Sequence, residues 1–232
     1  MDDKKTIIKS RLSEYGISEN DAEMLSYYAA LLIDANKRIN LTRITSEEDV
    51  VLKHLIDSLT AEKYIEKGKT VLDVGTGGGL PGIPIAICRP DLKVTLLDST
   101  ENKINQVKGF IAKLNLNCST LLGRAEDLSH TFLRESFDIV VSRAVAPLNI
   151  LTEICAPFIK KKGLFIAYKG KNAETEVKEA GKICGELGLS EYRVINTDIR
   201  DLEHKLVITE KITETPVMYP RTWAKIKKTP LH

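Results

Sequence analysis

The stretch Val71-Leu72-Asp73-Val74-Gly75-Thr76-Gly77-Gly78-Gly79-Leu80-Pro81-Gly82 sets the architecture of the chain around it. A buried-strand pattern runs straight into glycines at four of the five positions 75–79, and Pro81 suits the first turn of a following helix. Glycine is needed where backbone takes positive φ or approaches a ligand closely. A plain strand-to-helix turn needs one or two glycines, so this run points to a nucleotide-like ligand.

On both sides of the loop the pattern supports that reading. Strand-like runs occur at Thr70–Gly75, Lys93–Ser99, Cys118–Gly123, Phe137–Ala144 and Gly163–Tyr168. Between them lie apolar stripes at helical spacing: Ile104, Val107, Ile111 and Leu114; Leu148, Leu151, Cys155 and Phe158; Val177, Ala180, Cys184 and Leu187. The second stripe is expected to end at Lys160-Lys161-Lys162-Gly163, a cationic last turn with a glycine stop. Strand–helix alternation with right-handed crossovers predicts an α/β, doubly wound, mostly parallel seven-stranded sheet. Tyr192–Asn196 and Leu206–Thr209 form an expected hairpin that adds one antiparallel terminal strand. Upstream, Ser18 with Asp21 and Ser46 with Asp49 are capping-box signals ahead of apolar stripes, which predicts an N-terminal helical cap. The expected division is a cap over 1–66, a ligand-binding domain over 67–214 and a basic, extended tail over 215–232.

Composition is that of a globular protein, and 34 Lys+Arg against 32 Asp+Glu leave a net charge of only +2. Such a balance announces no nucleic-acid partner by itself. The charge is local, however. Lys160–Lys162, Lys169 and Lys171, with Arg221, Lys225, Lys227 and Lys228 in the tail, fall on two segments expected to line one face. If that face binds RNA, affinity falls steeply with salt. Cys88, Cys118, Cys155 and Cys184 form no CxxC pair, so reduced thiols are expected and no metal site. No apolar run reaches the ~20 residues of a membrane span. A cytoplasmic protein that does not engage membrane is the expectation, and a monomer.

Residues 77–82 satisfy G-x-G-x-x-G, the dinucleotide pattern, yet three features favour S-adenosylmethionine. Asp73 ends its strand two residues before the first glycine, where a carboxylate meets a ligand ammonium, directly or through an intervening group, and would repel a pyrophosphate. Asp98 ends the second strand about 20 residues beyond the loop, placed for ribose hydroxyls. Ala125-Glu126 follows the third strand, at the adenine position of methyltransferases of this architecture. The rival readings are an NAD(P)-dependent oxidoreductase, a methyltransferase of the same fold acting on a small molecule or protein, and an RNA-binding protein that has lost catalysis.

With these residues placed, nearly the whole chain resembles the bacterial small-subunit ribosomal RNA guanine-N7 methyltransferases, the glucose-inhibited division protein B family. The resemblance is carried by Asn40-Leu41-Thr42, Lys53–Leu59, Leu72–Gly82, Leu96–Ser99, Arg124-Ala125-Glu126, Ser142-Arg143-Ala144, Lys169-Gly170 and Tyr219-Pro220-Arg221, in that order and spacing. It implies a Rossmann-like class I methyltransferase, with S-adenosylmethionine as cofactor and S-adenosylhomocysteine as product. The methyl acceptor it implies is N7 of guanine 527 in 16S ribosomal RNA, as RNA or within the small subunit. By the same resemblance Gly75 and Leu80 line the methionine and ribose part of the site, with Gly77 and Gly79 in the loop. Asp98, Ser99 and Thr100 hold the ribose, Ala125 and Glu126 the adenine, and Arg143 faces the transfer region. One departure stands out: many members carry Gly-x-Pro after Tyr-Pro-Arg, where this chain has Ala224, Lys225 and Ile226.

The residues after the fourth strand narrow the chemistry. Ser142-Arg143-Ala144-Val145-Ala146-Pro147 lacks the Asn/Asp-Pro-Pro-aromatic motif of exocyclic-amine methylation. Carbon-5 methylation of a pyrimidine needs a nucleophilic cysteine, and Cys155 lies on an apolar stripe. A target with a free lone pair, such as guanine N7, demands no general base. Arg143 either contacts guanine or phosphate, or pairs with Glu126 or Asp138. His54 is either structural or catalytic, and Asn40 either caps a helix or lines the entrance.

Overall fold

A computed structural model of the chain describes residues 2–42, 44, 46–199 and 202–232, with side chains from residue 5 onward. A seven-stranded sheet runs β3-β2-β1-β4-β5-β7-β6. Its strands are β1 (Thr70–Val74), β2 (Lys93–Asp98), β3 (Cys118–Leu122), β4 (Phe137–Arg143), β5 (Ile159–Lys169), β6 (Arg193–Asn196) and β7 (Lys205–Glu210). The first five pair in parallel; β7 inserts antiparallel between β5 and β6, as the hairpin pattern predicts.

Strand alternation sorts the core into two layers. Val71, Leu96, Ile139, Val141 and Ile166 face one layer, which holds the N-terminal helices. Leu72, Val74, Leu97, Val140 and Phe165 face the other, which holds the later helices and the C-terminal segment. Both faces are covered, which is why these strands read as continuous apolar runs.

The cap consists of α1 (Asp2–Glu14), α2 (Glu19–Asn36) and a continuous helical run over 47–59, α3, whose middle, Val50–Ile56, is π-helical. Ser18 and Ser46 accept the backbone N–H of Asp21 and Asp49, as their spacing predicts. The cap has no core of its own: Ile8, Leu12, Leu25 and Leu32 pack into the same layer as β1 and β2. Tyr28 of α2 seals the junction, its ring edge-on to Phe110 and its hydroxyl donating to Gly78 O at 2.9 Å. The remaining helices are α4 (Gly82–Cys88), α5 (Glu101–Leu114), α6 (Ala125–Leu128), α7 (Leu148–Cys155), α8 (Ala173–Ala180), α9 (Ile183–Glu186) and α10 (Trp223–Lys228). The Val177–Leu187 stripe is divided between α8 and α9 at Gly181, where φ is +56°.

Three expectations change. Lys160–Gly163 is not a helix end but the start of β5. The register jumps from Phe137↔Ile159 to Ile139↔Leu164, and Lys162, at φ +68°, donates its N–H to Lys211 O. Gly163 is there because a Cβ would lie 2.5 Å from Asp138 O, so the glycine belongs to a bulge rather than a helix stop. Second, β5 crosses the sheet, placing Lys160–Lys162 at the opposite end from Lys169, at most about 23–30 Å away at ~3.3 Å per residue. Lys160–Lys162 therefore do not group with Lys169. Lys169 is itself tied to Glu176 (2.7 Å) and Ala146 O (2.8 Å).

Third, the tail is neither extended nor loose. With no glycine or proline in Trp223–Lys228 it forms α10 and buries Ile226 completely. Ahead of it, the Arg221 guanidinium grips the fully buried Glu153 carboxylate at 2.8 and 2.7 Å, and the Arg221 N–H donates to the same group.

Candidate functional site

The site lies at the C-terminal ends of β1, β2, β3 and β4, where open parallel sheets bind ligands. Gly75 and Thr76 donate their N–H groups to Leu97 O at 2.8 and 2.9 Å, turning the chain sharply out of β1. Gly75 is required twice over. Its φ is +75°, and a Cβ would sit 2.3 Å from Val145 Cγ2. Beneath the loop, Asp73 Oδ2 accepts the Thr76 hydroxyl (2.7 Å) and the Gly82 N–H (2.9 Å), tying the loop to the start of α4. Its other oxygen has no hydrogen-bond partner among the described residues. Burial pushes the Asp73 carboxyl up to about 6, against the opposing pull of those hydrogen bonds. Asp73 thus braces the loop from below and does not line the cavity above it. Gly77, Gly79 and Leu80 shape the loop and also stay out of the lining.

That cavity, of about 280 Å³, brings together Gly75, Asp98, Ser99, Thr100, Ala125 and Glu126, residues drawn from the turns after three different strands. Asp98 is 6% exposed, and its carboxylate accepts Gly77 N–H at 3.0 Å and Thr100 N–H at 2.9 Å. Each carboxylate oxygen keeps a further lone pair for a ribose hydroxyl. Glu126, equally buried, pairs with Arg124. The acidic acceptors, the backbone cradle closed to any Cβ at Gly75 and the wall beside Glu126 fit S-adenosylmethionine. Lys103, Arg124 and Trp223 also line the cavity. Arg124 belongs to the Arg124-Ala125-Glu126 motif, whereas nothing in the sequence places Lys103 or Trp223 at this cavity.

Ala144 and Val145 separate this cavity from a second, of about 560 Å³, and line both. Ala144 holds φ +56°, a left-handed conformation that strains an alanine and turns the chain between the two spaces. Arg143 faces the second cavity. Its partner is neither Glu126 nor Asp138 but Asp57 of the cap: Nη1 donates to Asp57 Oδ2 at 2.8 Å and to Lys53 O at 3.1 Å. Asp57, 2% exposed, accepts His204 Nδ1–H on its other oxygen at 2.9 Å. Sequence reasoning missed both Asp57 and His204 as parts of the site.

His54 lines the same cavity, 7% exposed, with both nitrogens engaged. Thr42 Oγ1 accepts Ile44 N–H and so turns its own hydrogen toward His54 Nε2 at 2.6 Å. Nδ1–H then points to Lys53 O, the neutral tautomer this network assigns. Burial, reinforced by Arg143, holds the imidazole down to about 4. Asn40 is exposed and lines neither cavity; the 41–42 turn is organised instead by Asn36, which accepts the N–H groups of Leu41 and Thr42. Cys155 is fully buried with its thiol pushed far up by burial, which fits packing and not nucleophilic attack.

Asp73 and His54 have opposite linkage. Asp73 is raised on folding, so it lowers stability as pH rises from about 4 to 6; His54 is depressed, so it adds stability as pH rises from about 4 to 6.5. Asp73→Asn should gain stability relative to the parent across that window, by about 3 kcal/mol at most, and His54→Gln should lose it. Urea unfolding at pH 4, 5, 6 and 7 reads the two differences, and pH-independent differences would refute the assignment.

Comparison with known proteins gives the family and the fold. The pattern of the family described as rRNA small subunit methyltransferase G matches residues 21–206. The ribosomal RNA small subunit methyltransferase G of Clostridium perfringens (strain 13) is 43% identical over 233 residues, 97% of this chain and 98% of its own. That of Clostridium novyi (strain NT) is 44% identical over 210 residues, covering 88% and 86%. Among solved structures, a SAM-dependent methyltransferase from Aquifex aeolicus superposes with a TM-score of 0.56 at 19% identity, over 75% of this chain and 97% of its own. A SAM-dependent O-methyltransferase from Thermotoga maritima gives 0.53 at 17% identity, over 80% and 72%. These two carry the fold; the extent of the sequence match carries the family. The chain belongs to the rRNA small subunit methyltransferase G family.

Proposed function

We propose that this protein transfers a methyl group from S-adenosylmethionine to N7 of a guanine in 16S ribosomal RNA, guanine 527 by its family resemblance. The observation that carries the reading is the pair of cavities meeting at Ala144–Val145, one suited to the cofactor and the other presenting Arg143. When bound, the cofactor supplies an electrophilic methyl group on sulfur. The chain's own part is positioning. Asp98 binds the ribose, Ala125 and Glu126 flank the adenine, and Gly75 lets the backbone approach. Asp73 keeps the loop in shape from beneath.

Guanine N7 needs no deprotonation, and most titratable groups of the second cavity are already engaged. Asp57 is bound by Arg143 and His204, Glu176 by Lys169 and the Leu148 N–H, and His54 at both nitrogens. A guanine N7 lone pair attacks without a base, so aligned geometry supplies the acceleration. Among the described residues, only Nη1 of the Arg143 guanidinium has protein partners. Its other N–H donors face guanine O6 or a phosphate.

Mapping N7-methylguanine in 16S RNA from cells with and without the protein tests the target. Methyl transfer to deproteinised RNA, small subunits and a metabolite extract separates the substrates. Label appearing only in metabolites would overturn the RNA assignment, and NAD(P) binding in place of the methyl donor would overturn the cofactor.

A further inference from the structure

We propose that Trp223, supplied by the C-terminal segment, is a cofactor-binding residue that walls the Ala125–Glu126 end of the cofactor cavity and is held there by an anchored strap. The inference rests on the cofactor reading above and extends it to a segment beyond residue 206, where the family match ends.

The residue sits about 100 positions from the turns it joins, yet it lines the same cavity as Asp98, Ala125 and Glu126. The Arg124 guanidinium lies 4.8 Å from its ring centroid and pairs in turn with Glu126. Indole, guanidinium and carboxylate therefore form one connected wall, with an aromatic surface of the kind on which a purine stacks.

The strap that carries Trp223 is fastened at several points. Arg134 donates to Thr215 O at 2.7 Å and Tyr219 O at 3.0 Å, and His130 Nε2 lies 2.9 Å from Pro220 O. Arg221 meets the fully buried Glu153 of α7. Breaking that last pair leaves a buried charge without its partner, so the attachment is costly to undo. Ile226 fixes α10 from inside, which leaves Trp223 at the cavity while Lys225, Lys227 and Lys228 stay exposed. A tail that served only as a cationic tether for RNA would not need an aromatic at the cavity or so deep an anchor.

Trp223 is the chain's single tryptophan, so its fluorescence reports this place alone. Titrating the full chain with S-adenosylhomocysteine should change the emission with the same midpoint that calorimetry gives. Trp223→Ala should weaken S-adenosylhomocysteine binding by about fivefold or more, the loss of one base–aromatic stack. Trp223→Phe should stay within about threefold of the parent, because it keeps a stacking face. Unaltered affinity in Trp223→Ala, or silent fluorescence while calorimetry records binding, would overturn the role of Trp223 and leave the cofactor assignment standing. Absence of any S-adenosylhomocysteine binding by the parent protein would overturn both.

Discussion

Asp98→Ala is expected to weaken S-adenosylhomocysteine binding by at least about 100-fold while the protein stays folded. The residue does two jobs through one carboxylate. Inside the protein it accepts the N–H groups of Gly77 and Thr100, so it ties the glycine loop to the turn after β2. Toward the cavity it offers the remaining lone pairs to ribose hydroxyls. Hydrogen bonds to a charged group contribute about 1.5–3 kcal/mol each, and losing two of them exceeds the ~2.7 kcal/mol that corresponds to 100-fold. Asp98→Asn should fall between the two proteins, since it keeps the volume and one acceptor oxygen but turns an N–H₂ toward a donor. Calorimetry reads the affinities and thermal unfolding controls for the fold. An alanine variant that binds within threefold of the parent would show that the ribose is held elsewhere.

Arg143→Ala is expected to lower methyl transfer at least about 100-fold with S-adenosylhomocysteine affinity changed by less than about threefold. The split follows from geometry, because Arg143 faces the second cavity and the cavity proposed for the cofactor lies across Ala144–Val145. The variant has a second consequence. It strands Asp57, which is 2% exposed, without its cation, and a buried pair broken on one side costs about 3–5 kcal/mol. Asp57→Asn in the same chain removes the stranded charge and still accepts His204 Nδ1–H. The double variant should therefore recover thermal stability and remain inactive. If it recovers activity as well, Arg143 acts only by neutralising Asp57; a full-rate Arg143→Ala enzyme would refute its role in transfer outright.

The cavity at the ends of β1, β2 and β3 was partly legible along the chain because its signals are short-range, though Asp73, Gly77, Gly79 and Leu80 do not line it. Gly75 must be glycine for its φ of +75°, Asp98 follows directly from the end of β2, and Glu126 from the turn after β3. Each lies within a few residues of the strand end that presents it. The parallel sheet was legible for the same reason, since burial on both faces writes an apolar run and helical spacing writes the crossovers. Where local signals were ambiguous they misled. Lys-Lys-Lys-Gly is a helix stop by pattern, and only the carbonyl of Asp138, 2.5 Å from a Cβ on Gly163, makes it a bulge. The tail likewise has the charge of a solvated arm, and its fold depends on Glu153 waiting buried in α7.

On the acceptor side Arg143 and His54 were legible, but the contacts that hold Arg143 were not. Asp57 and Arg143 are 86 residues apart and Asp57 and His204 147 apart, yet one carboxylate joins all three. Nothing in the neighbours of Arg143 distinguishes Asp57 from Glu126 or Asp138 as its partner, because Coulomb attraction depends on distance in space. By itself the sequence determined the strand order's raw material, the glycine loop and the carboxylates at the strand ends, all set by backbone sterics and periodicity. Only the tertiary structure decided which charges meet, which lysines are neutralised and that Trp223 reaches the cavity of Asp98 and Glu126, because those outcomes depend on which distant surfaces the packed core brings together.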